Sequence, residues 1–404
     1  MAILSKVRQN AQIFDDRAID VSAFLEIAGF GAATLTVLGI LYLGAAQAGL
    51  RRFTAMSDQA PTHHPAITVL KPLYGADANL YENLLSFCRQ DYPDFQILCG
   101  VREVLDPAVA SVRRLQAEFP DLDLHLVIDA SVHGTNLKIS NLINMMAAAK
   151  HDVLVIADSD MAVTPDYLSV LAGGLEDPGV GLVTCLYAGL SVGDFWSDLG
   201  ALHISHGFLP SVLVGRLVSG RAGCFGATMA LRRADLDAIG GLAALKDLLA
   251  DDYFLGAKIQ SLGKRLHLTR MIVDDHVQEA SLKALFHHEL RWARTIRSIA
   301  PWDFAGTLVT HPIAWSLVTV ALASGHPAAL ILMAAAFCMR SLTIRVFEHT
   351  LGLPHVRTHL IPIRDLLSFV VLTAAYCGRS VAWRDRWFRV TADGQLVIDG
   401  DRPA

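Results

Sequence analysis

The 404-residue chain is short of charge. Asp, Glu, Lys and Arg make up 18% of it, whereas apolar residues make up 53% and mean hydropathy is +0.40. That apolar share exceeds what a soluble domain carries, so part of the chain belongs in lipid. A basic excess is also missing: 34 Lys and Arg against 39 Asp and Glu give a net charge of −5. This excludes the field that nucleic-acid binding draws on, and no nucleic-acid partner is expected. The six cysteines, Cys88, Cys99, Cys185, Cys224, Cys338 and Cys377, form no CxxC pair and no zinc-like spacing. Neither a disulfide framework nor a structural metal is indicated, and they read as small buried residues in a reducing compartment. The opening MAILSKVRQNAQIFDDRAID carries both charge signs and leads into an apolar stretch lacking a clear A-x-A cleavage site. A retained anchor is expected rather than a cleaved signal peptide.

What is present begins with IAGFGAATLTVLGILYLGAAQAGL, residues 27–50, which holds no charge over more than the roughly 20 residues that a helix needs to cross a bilayer. Residues 1–26 flank this predicted span. Arg51 and Arg52 follow it while Lys6, Arg8 and Arg17 precede it, so basic residues across this one span do not orient it. A polar linker with Pro61 and Pro65 runs into AITVL at 66–70, where a soluble domain over 66–300 is expected to begin. FQILCGV at 95–101, LHLVI at 124–128 and DVLVIA at 152–157 recur between helix-length segments. Runs apolar on both faces predict a parallel sheet covered by helices, with ligands outside the carboxyl ends of the strands.

Beyond Arg297 the chain turns apolar again in PIAWSLVTVALAS (312–324) and PAALILMAAAFCM (327–339), separated by Gly325 and His326. This predicts a helical hairpin in the membrane within a C-terminal membrane region, 301–384, and a tail over 385–404. Arg291, Arg294 and Arg297 precede the hairpin, Arg340, Arg345, Arg357 and Arg364 follow it, and its connection has neither Lys nor Arg. The positive-inside rule then puts the soluble domain in the cytoplasm. The shorter run Leu366–Gly378, with arginines on both sides, reads as interfacial or re-entrant, or as a third C-terminal span.

Three acidic or basic groups carry chemistry. In IADSDMAVTPDYL an apolar strand ends in Asp158-Ser159-Asp160, and two carboxylates at alternate positions can hold a divalent ion that neutralises a diphosphate. The plainer reading is a solvated turn with a helix cap. LADDYFLGAKIQSLG puts Asp251 and Asp252 at a helix start, where a carboxylate can take a proton from a hydroxyl or simply favour the helix dipole. HHELRWARTIRS, 287–298, supplies His288, Arg291, Trp292, Arg294 and Arg297, suited to clamping a diphosphate and walling a sugar, or to lying at a membrane interface. The apolar segment 195–218, with Trp196, Phe208 and Pro210, reads either as a membrane-lying guide for a lipid or as a buried helix. His203 and His206 within it read as ordinary polar contacts, His206 also as a group able to meet a lipid acceptor.

The order of these parts resembles the ceramide glucosyltransferase group, glycosyltransferase family 21, from about Ile67 to Arg297. TVLKPLYG (68–75) resembles the family's first strand and KPL turn, with Lys71. HGTNLKISNL (133–142) resembles its G-x-N-x-K-x-x-N-L signature, which implies Asn136, Lys138 and Asn141 near the nucleotide. Asp158 and Asp160 stand at the second aspartate motif, Asp252 at the third, and Arg291 with Trp292 at the (Q/R)xxRW motif. Two departures are visible. GVREVLDP stands where the family has a stretch resembling GVQDxxDP, leaving Glu103 or Asp106 to supply the first carboxylate, and His288 replaces the usual Gln or Arg. HHELRWARTIR together with GTNLKISNLIN looks closer to a bacterial branch associated with hopanoid biosynthesis.

The resemblance implies an α/β GT-A fold, Rossmann-like, flanked by transmembrane helices. It implies an inverting transfer of glucose or N-acetylglucosamine from a UDP-sugar to a lipid hydroxyl, either a hopanoid such as bacteriohopanetetrol or ceramide. Asp252 would be the base, Asp158 and Asp160 would hold Mg²⁺ or Mn²⁺, and Lys138, Arg291 and Arg294 would face the diphosphate. A bacterial inner membrane with the catalytic side in the cytoplasm is expected. Alternatives are a processive polysaccharide synthase, which needs more spans to thread a polymer, and a silent lipid-binding scaffold. A transporter is disfavoured because the apolar spans carry almost no charge to mark a path.

Overall fold

The computed structural model describes residues 21–75, 79–378, 380–383, 386–391 and 394–398. Lys6, Arg8, Arg17 and Arg384 therefore lie outside the described residues, as does the part of the tail from residue 399 onward. Helix α1 (Val21–Thr54) contains the predicted N-terminal span. The sheet then grows from β1 (Ile67–Pro72), α2 (Leu80–Cys88), β2 (Phe95–Val101), α3 (Ala108–Glu118), β3 (Leu124–Ile128), α4 (Leu137–Met145) and β4 (Val153–Ile156). After a short β5 (Met161–Ala162) come α5 (Tyr167–Leu175) and β6 (Val180–Ser191). Helix α6 (Phe195–His203) runs through a π-helical turn, Ile204–Phe208, into α7 (Leu209–Ser219). Then follow β7 (Met229–Arg232), α8 (Arg233–Ala238), α9 (Asp251–Ser261) and β8 (Arg265–Val277).

These strands form one eight-stranded sheet in the order β3-β2-β1-β4-β7-β6-β8-β5. The first four are parallel, joined by helical crossovers. The four runs expected to make a parallel sheet do so, and the sheet extends beyond them with β7, antiparallel to both β4 and β6, and β5, antiparallel to β8. The result is the mixed α/β sheet of a GT-A fold. Strand β1 is buried along its whole length because both faces are covered. Ile67 and Val69 join the cluster with Val153, Val155 and Phe87 on one face, and Leu70 joins Leu98, Leu154 and Ile156 on the other. The period of two in a strand sorts one apolar run into two cores.

The C-terminal part comprises α10 (Leu282–Ile299), α11 (Pro301–Gly306), α12 (Pro312–Leu322), α13 (Pro327–Leu351), α14 (Leu360–Tyr376) and a three-stranded sheet, β9 (Ser380–Trp383), β10 (Arg386–Val390) and β11 (Leu396–Ile398). Among the described residues three helices are long and apolar enough to cross a membrane: α1, the joined α6–α7, and α13. A fourth exists if the pair Pro301–Thr310 and Pro312–Leu322, bent by 64°, counts as one. They mark an integral membrane protein. The simple hairpin read from sequence differs from what forms. Helix α12 has 11 residues, about 16 Å, half a bilayer, and α13 continues past Met339 to Leu351. Residues 366–376 of the shorter run lie in the 17-residue α14, which packs on α6, α10 and α12.

Helix α1 packs against α7, α12 and α13 through small residues. A Cβ on Gly39 would come 2.8 Å from Pro312 Cβ, closer than side chains pack, and one on Gly49 would press on the Leu213 carbonyl oxygen at 3.0 Å, so glycine at these positions favours the close approach. Arg340 also changes meaning. It is buried, with a bidentate grip on Asp365 (2.8–3.2 Å), and donates to the His206 carbonyl at 2.7 Å. As a paired internal charge it does not count toward the positive-inside tally.

Arg340→Met is expected to lower stability by about 3–5 kcal/mol, because Asp365 is left buried and unpaired, and adding Asp365→Leu is expected to recover most of that loss. Thermal unfolding in detergent micelles measures both. Equal losses for the single and double variants would contradict it.

Candidate functional site

The order 3-2-1-4 makes the space between the carboxyl ends of β1 and β4 a topological switch point, where a crevice opens. The Asp158-Ser159-Asp160 turn occupies that place, fixed from three sides. Lys71 Nζ donates to the Asp158 carbonyl, Asn83 Nδ2 to the Ser159 carbonyl at 3.2 Å, and the His276 amide to the Asp160 carbonyl at 3.0 Å. Lys71 is fully buried, with its ammonium 3.9 Å above the Phe87 ring. It lies beneath the turn that it was expected to accompany in the crevice, because the strand period puts it on the same face as Ile67 and Val69.

Asn136 caps α4, accepting from the Ile139 amide at 3.1 Å, and its Nδ2 donates to the Leu248 carbonyl at 2.8 Å. That second bond ties α4 to the loop before α9. Asn141 is buried and donates to the Gly100 carbonyl at 2.8 Å. A Cβ on Gly100 would collide with the Asn141 and Met145 side chains at 2.4 Å, which is how closely α4 lies on β2. Both asparagines of the GTNLKISNL segment thus hold α4 in place. Lys138 between them extends to the acids, with Nζ 2.6 Å from Asp158 Oδ1 and 3.3 Å from Asp251 Oδ2.

Asp252 completes the cluster. Its Oδ2 accepts from the Gly226 amide at 3.1 Å and its Oδ1 from the Tyr253 amide at 2.7 Å. Gly226 marks where the groups converge: a Cβ there would lie 3.3 Å from Asp158 Oδ2, 3.6 Å from Asp252 Oδ2 and 3.6 Å from Lys138 Nζ. Burial, then the charge of Asp251, pushes the Asp252 carboxyl up to about 6, against the pull of Lys138. Burial works against the Lys138 charge, but Asp158, Asp251 and Asp252 outweigh it and hold its pKa above the ordinary lysine value. Asp275 on β8 pairs with Met161, beside Asp160. Burial, then the charges of Asp160 and Asp158, holds its carboxyl well above the ordinary carboxylate range.

The remaining expected residues make contacts of their own. Asp106 accepts from the Gly75 amide (3.0 and 3.1 Å) and the Ala108 amide (2.9 Å), joining the end of the KPL turn to the start of α3, while Glu103 is exposed beside it. His288 pairs with Glu279 (Nδ1 to Oε1, 2.8 Å) and lies against Trp292, ring centroids 4.3 Å apart, and Trp292 in turn stacks over His203. Arg291 sits half-buried on the same helix, α10. Arg294, expected at the diphosphate, instead donates to the Ser380 carbonyl at 2.5 Å, while Arg297 donates to the Gly378 carbonyl. These two arginines fasten α10 to β9. Asp275 and Gly226 were not among the expected site residues, and Asp251, read from sequence only as one of an acidic pair, proves to be the second partner of Lys138. The only signal for Asp275 was an acidic pair interrupting the apolar run of MIVDDHV.

The donors around the crevice are carboxylate oxygens, the set that hard divalent ions take. Buried Asp275, on the strand paired with the residue after Asp160, adds a further carboxylate to that set. Among the described residues no three His, Cys, Asp or Glu side chains converge as a metal cage. The residues present therefore fit an ion held by one or two carboxylates, with other positions left to water and phosphate, as Mg²⁺ prefers. Gly226 has no positive φ, so Gly226→Ala is expected to fold with an unchanged unfolding midpoint while losing transfer activity at least about tenfold, since the methyl enters the convergence point. A variant of full activity would show that nothing reacts there.

A family model described as Glycosyl transferase family 21 matches residues 31–396. The chain is 23% identical over 282 residues to ceramide glucosyltransferase 1 of Caenorhabditis elegans, covering 70% of this chain and 60% of that one. It is 24% identical over 240 residues to ceramide glucosyltransferase 3 of the same organism, covering 59% of this chain and 52% of the other. The chain thus spans between half and three-fifths of the length of these curated relatives. Among solved structures, a mannosyltransferase from Pyrobaculum calidifontis, in complex with GDP-Man and Mn²⁺, superposes with a TM-score of 0.51 over 88% of this chain and 98% of that one, at 22% identity. That likeness shows the shared fold.

Proposed function

The chain belongs to glycosyl transferase family 21, and from that premise we propose that it transfers a hexosyl group from a UDP-sugar to the hydroxyl of a membrane lipid, with inversion at the sugar carbon. One observation carries the reading: Asp158, Lys138 and Asp252 converge on Gly226 at the switch point, directly beside apolar helices. Ceramide is the acceptor that the named relatives support. The hopanoid acceptor expected from the motif spelling has no counterpart among them.

In this reading Asp252 takes the proton of the acceptor hydroxyl as that oxygen attacks the anomeric carbon and the bond to UDP breaks. Its raised carboxyl suits a base working near neutrality. Lys138 holds Asp158 and Asp251 in register, and its charge lies within reach of the departing diphosphate. Asp158 and Asp160 would hold a divalent ion, which when bound supplies the positive charge that the leaving diphosphate develops against. Arg291 and Trp292 line the α10 side. Glu103 and Asp106 border the nucleotide end, where Asp106 already fixes the KPL turn.

The acceptor route follows a line of aromatic rings. Tyr187 stacks on Phe208 of the π-helical turn at 4.6 Å, and Phe208 meets Phe225 edge-on at 5.5 Å. Phe225 adjoins Gly226, whose amide holds Asp252. An apolar path thus runs from the α6–α7 membrane helix to the base. We place the sugar-transferring side in the cytoplasm, where UDP-sugars are found, on the arginines that flank the C-terminal helices.

The test uses membranes containing the full chain, radiolabelled UDP-glucose or UDP-N-acetylglucosamine, and ceramide or bacteriohopanetetrol, with and without EDTA. Label is expected in one lipid product, lost with EDTA and for Asp252→Asn, which retains UDP binding. UDP binding without label in either lipid would overturn both acceptors. Below a pH of about 6 Asp252 is protonated and cannot accept a proton. In a pH series kcat/KM is therefore expected to fall about tenfold per unit on the acid side and to level off above that value. An acid limb unchanged in Asp252→Glu and Asp252→Asn would assign it to another group.

A further inference from the structure

At the far end of α9 from Asp252 lies a second concavity of about 600 Å³, lined by Arg216, Arg221, Lys264, Arg265 and His267 together with backbone at Gly220 and Gly263. The 11 residues of α9 separate the two places, about 16 Å of helix. No acid lines this cavity. Lys264 pairs with Asp235 and Arg265 with Asp177, and Asp58 accepts from the Arg270 amide at 2.8 Å. Lys264 and Arg265 are thus already paired, which leaves Arg216 and Arg221 as the cations open to a ligand. Arg216 and Arg221 make no ion pair among the described residues, and Arg216 Nη1 is buried without a hydrogen-bond partner. A buried guanidinium edge without an acceptor is costly. Its fork geometry matches a phosphate.

The cavity is continuous with the membrane helices. Arg216 and Gly220 also border a smaller pocket of about 220 Å³ between α1 and α7, lined by Phe53, Met56, Leu213, Leu217 and Arg52. Arg51 and Arg52 form the last turn of α1, so this apolar slot opens at the level where a spanning helix leaves the bilayer. A basic cup joined to an apolar slot at the membrane surface suits a phospholipid headgroup and the first part of its chain.

We propose that this cavity binds the phosphate of an anionic phospholipid, at a site separate from sugar transfer. The neutral hydroxyl acceptor and the UDP-sugar have no part in it. The inference rests on the reading of α1 and α7 as membrane helices and not on the transfer reaction, so lipid retention and label transfer can fail independently.

Native mass spectrometry of the full chain in detergent, offered phosphatidylglycerol or phosphatidylcholine of the same acyl chains, tests it. Retention of phosphatidylglycerol over phosphatidylcholine is expected, and Arg216→Gln with Arg221→Gln is expected to cut that retention roughly tenfold. Arg357→Gln, remote from the cavity, is expected to leave it intact. Should the double variant unfold, Arg221→Gln alone, at an exposed position, is expected to weaken retention in the same direction. Equal retention of both lipids, or no loss in the arginine variants, would overturn the site. Displacement of the lipid by excess inorganic phosphate alone would show a free-anion site instead and would equally overturn a lipid occupant.

Discussion

The acidic end of the sheet depends on a single ammonium group. Lys138 stands between Asp158 and Asp251, with Asp252 one residue further on. Without it, carboxylates arriving from β4 and α9 would repel across a half-buried crevice. With it, two segments that are distant in sequence are locked together by one buried charge. Neighbouring features serve that placement: Asn136 caps the helix that carries Lys138, Asn141 and Gly100 set how deeply that helix lies, and Lys71 braces the turn from below.

Much of this was legible because the fold is built from continuous apolar runs. Strands β2 and β3 coincide with the runs at 95–101 and 124–128, and α9 begins at the acidic pair that the sequence marks. What escaped detection depends on long-range pairing. Strand β7 is four residues long, too short to announce that it runs antiparallel within an otherwise parallel half. Asp275 matters only because β8 pairs with β5 and so brings it beside Asp160, a register that local pattern does not contain. Arg294 reads as a phosphate ligand by its spacing from Arg291, yet a C-terminal strand more than eighty residues away takes its hydrogen bond. Lys71 was open to a better reading, since its strand parity with Ile67 and Val69 already directs it away from the crevice.

The junction between sheet and membrane helices is held by polar contacts within an apolar surround. Arg364 grips Glu289 of α10 with two bonds of 2.7 Å and donates to the Leu199 carbonyl of α6 at 3.1 Å, so one side chain joins three helices. Arg340 does the same for α13, α14 and the π-helical turn. Because each bond is directional, these arginines fix rotation and depth where apolar packing alone would tolerate sliding. The aromatic line from Phe208 to Phe225 inherits its alignment from them.

The pair between Arg340 and Asp365 also bears on how the protein is made. Arg340 lies about 20 Å along α13, deep enough that the helix on its own carries an insertion penalty of about 2.5–3.5 kcal/mol. Its counter-charge resides on α14, which leaves the ribosome only afterwards. During synthesis α13 must therefore wait, held at the bilayer edge or beside already inserted segments, until the next helix arrives to neutralise it. Insertion of α13 and the arrival of α14 beside it are a joint event, and a chain truncated between them would be unable to complete it.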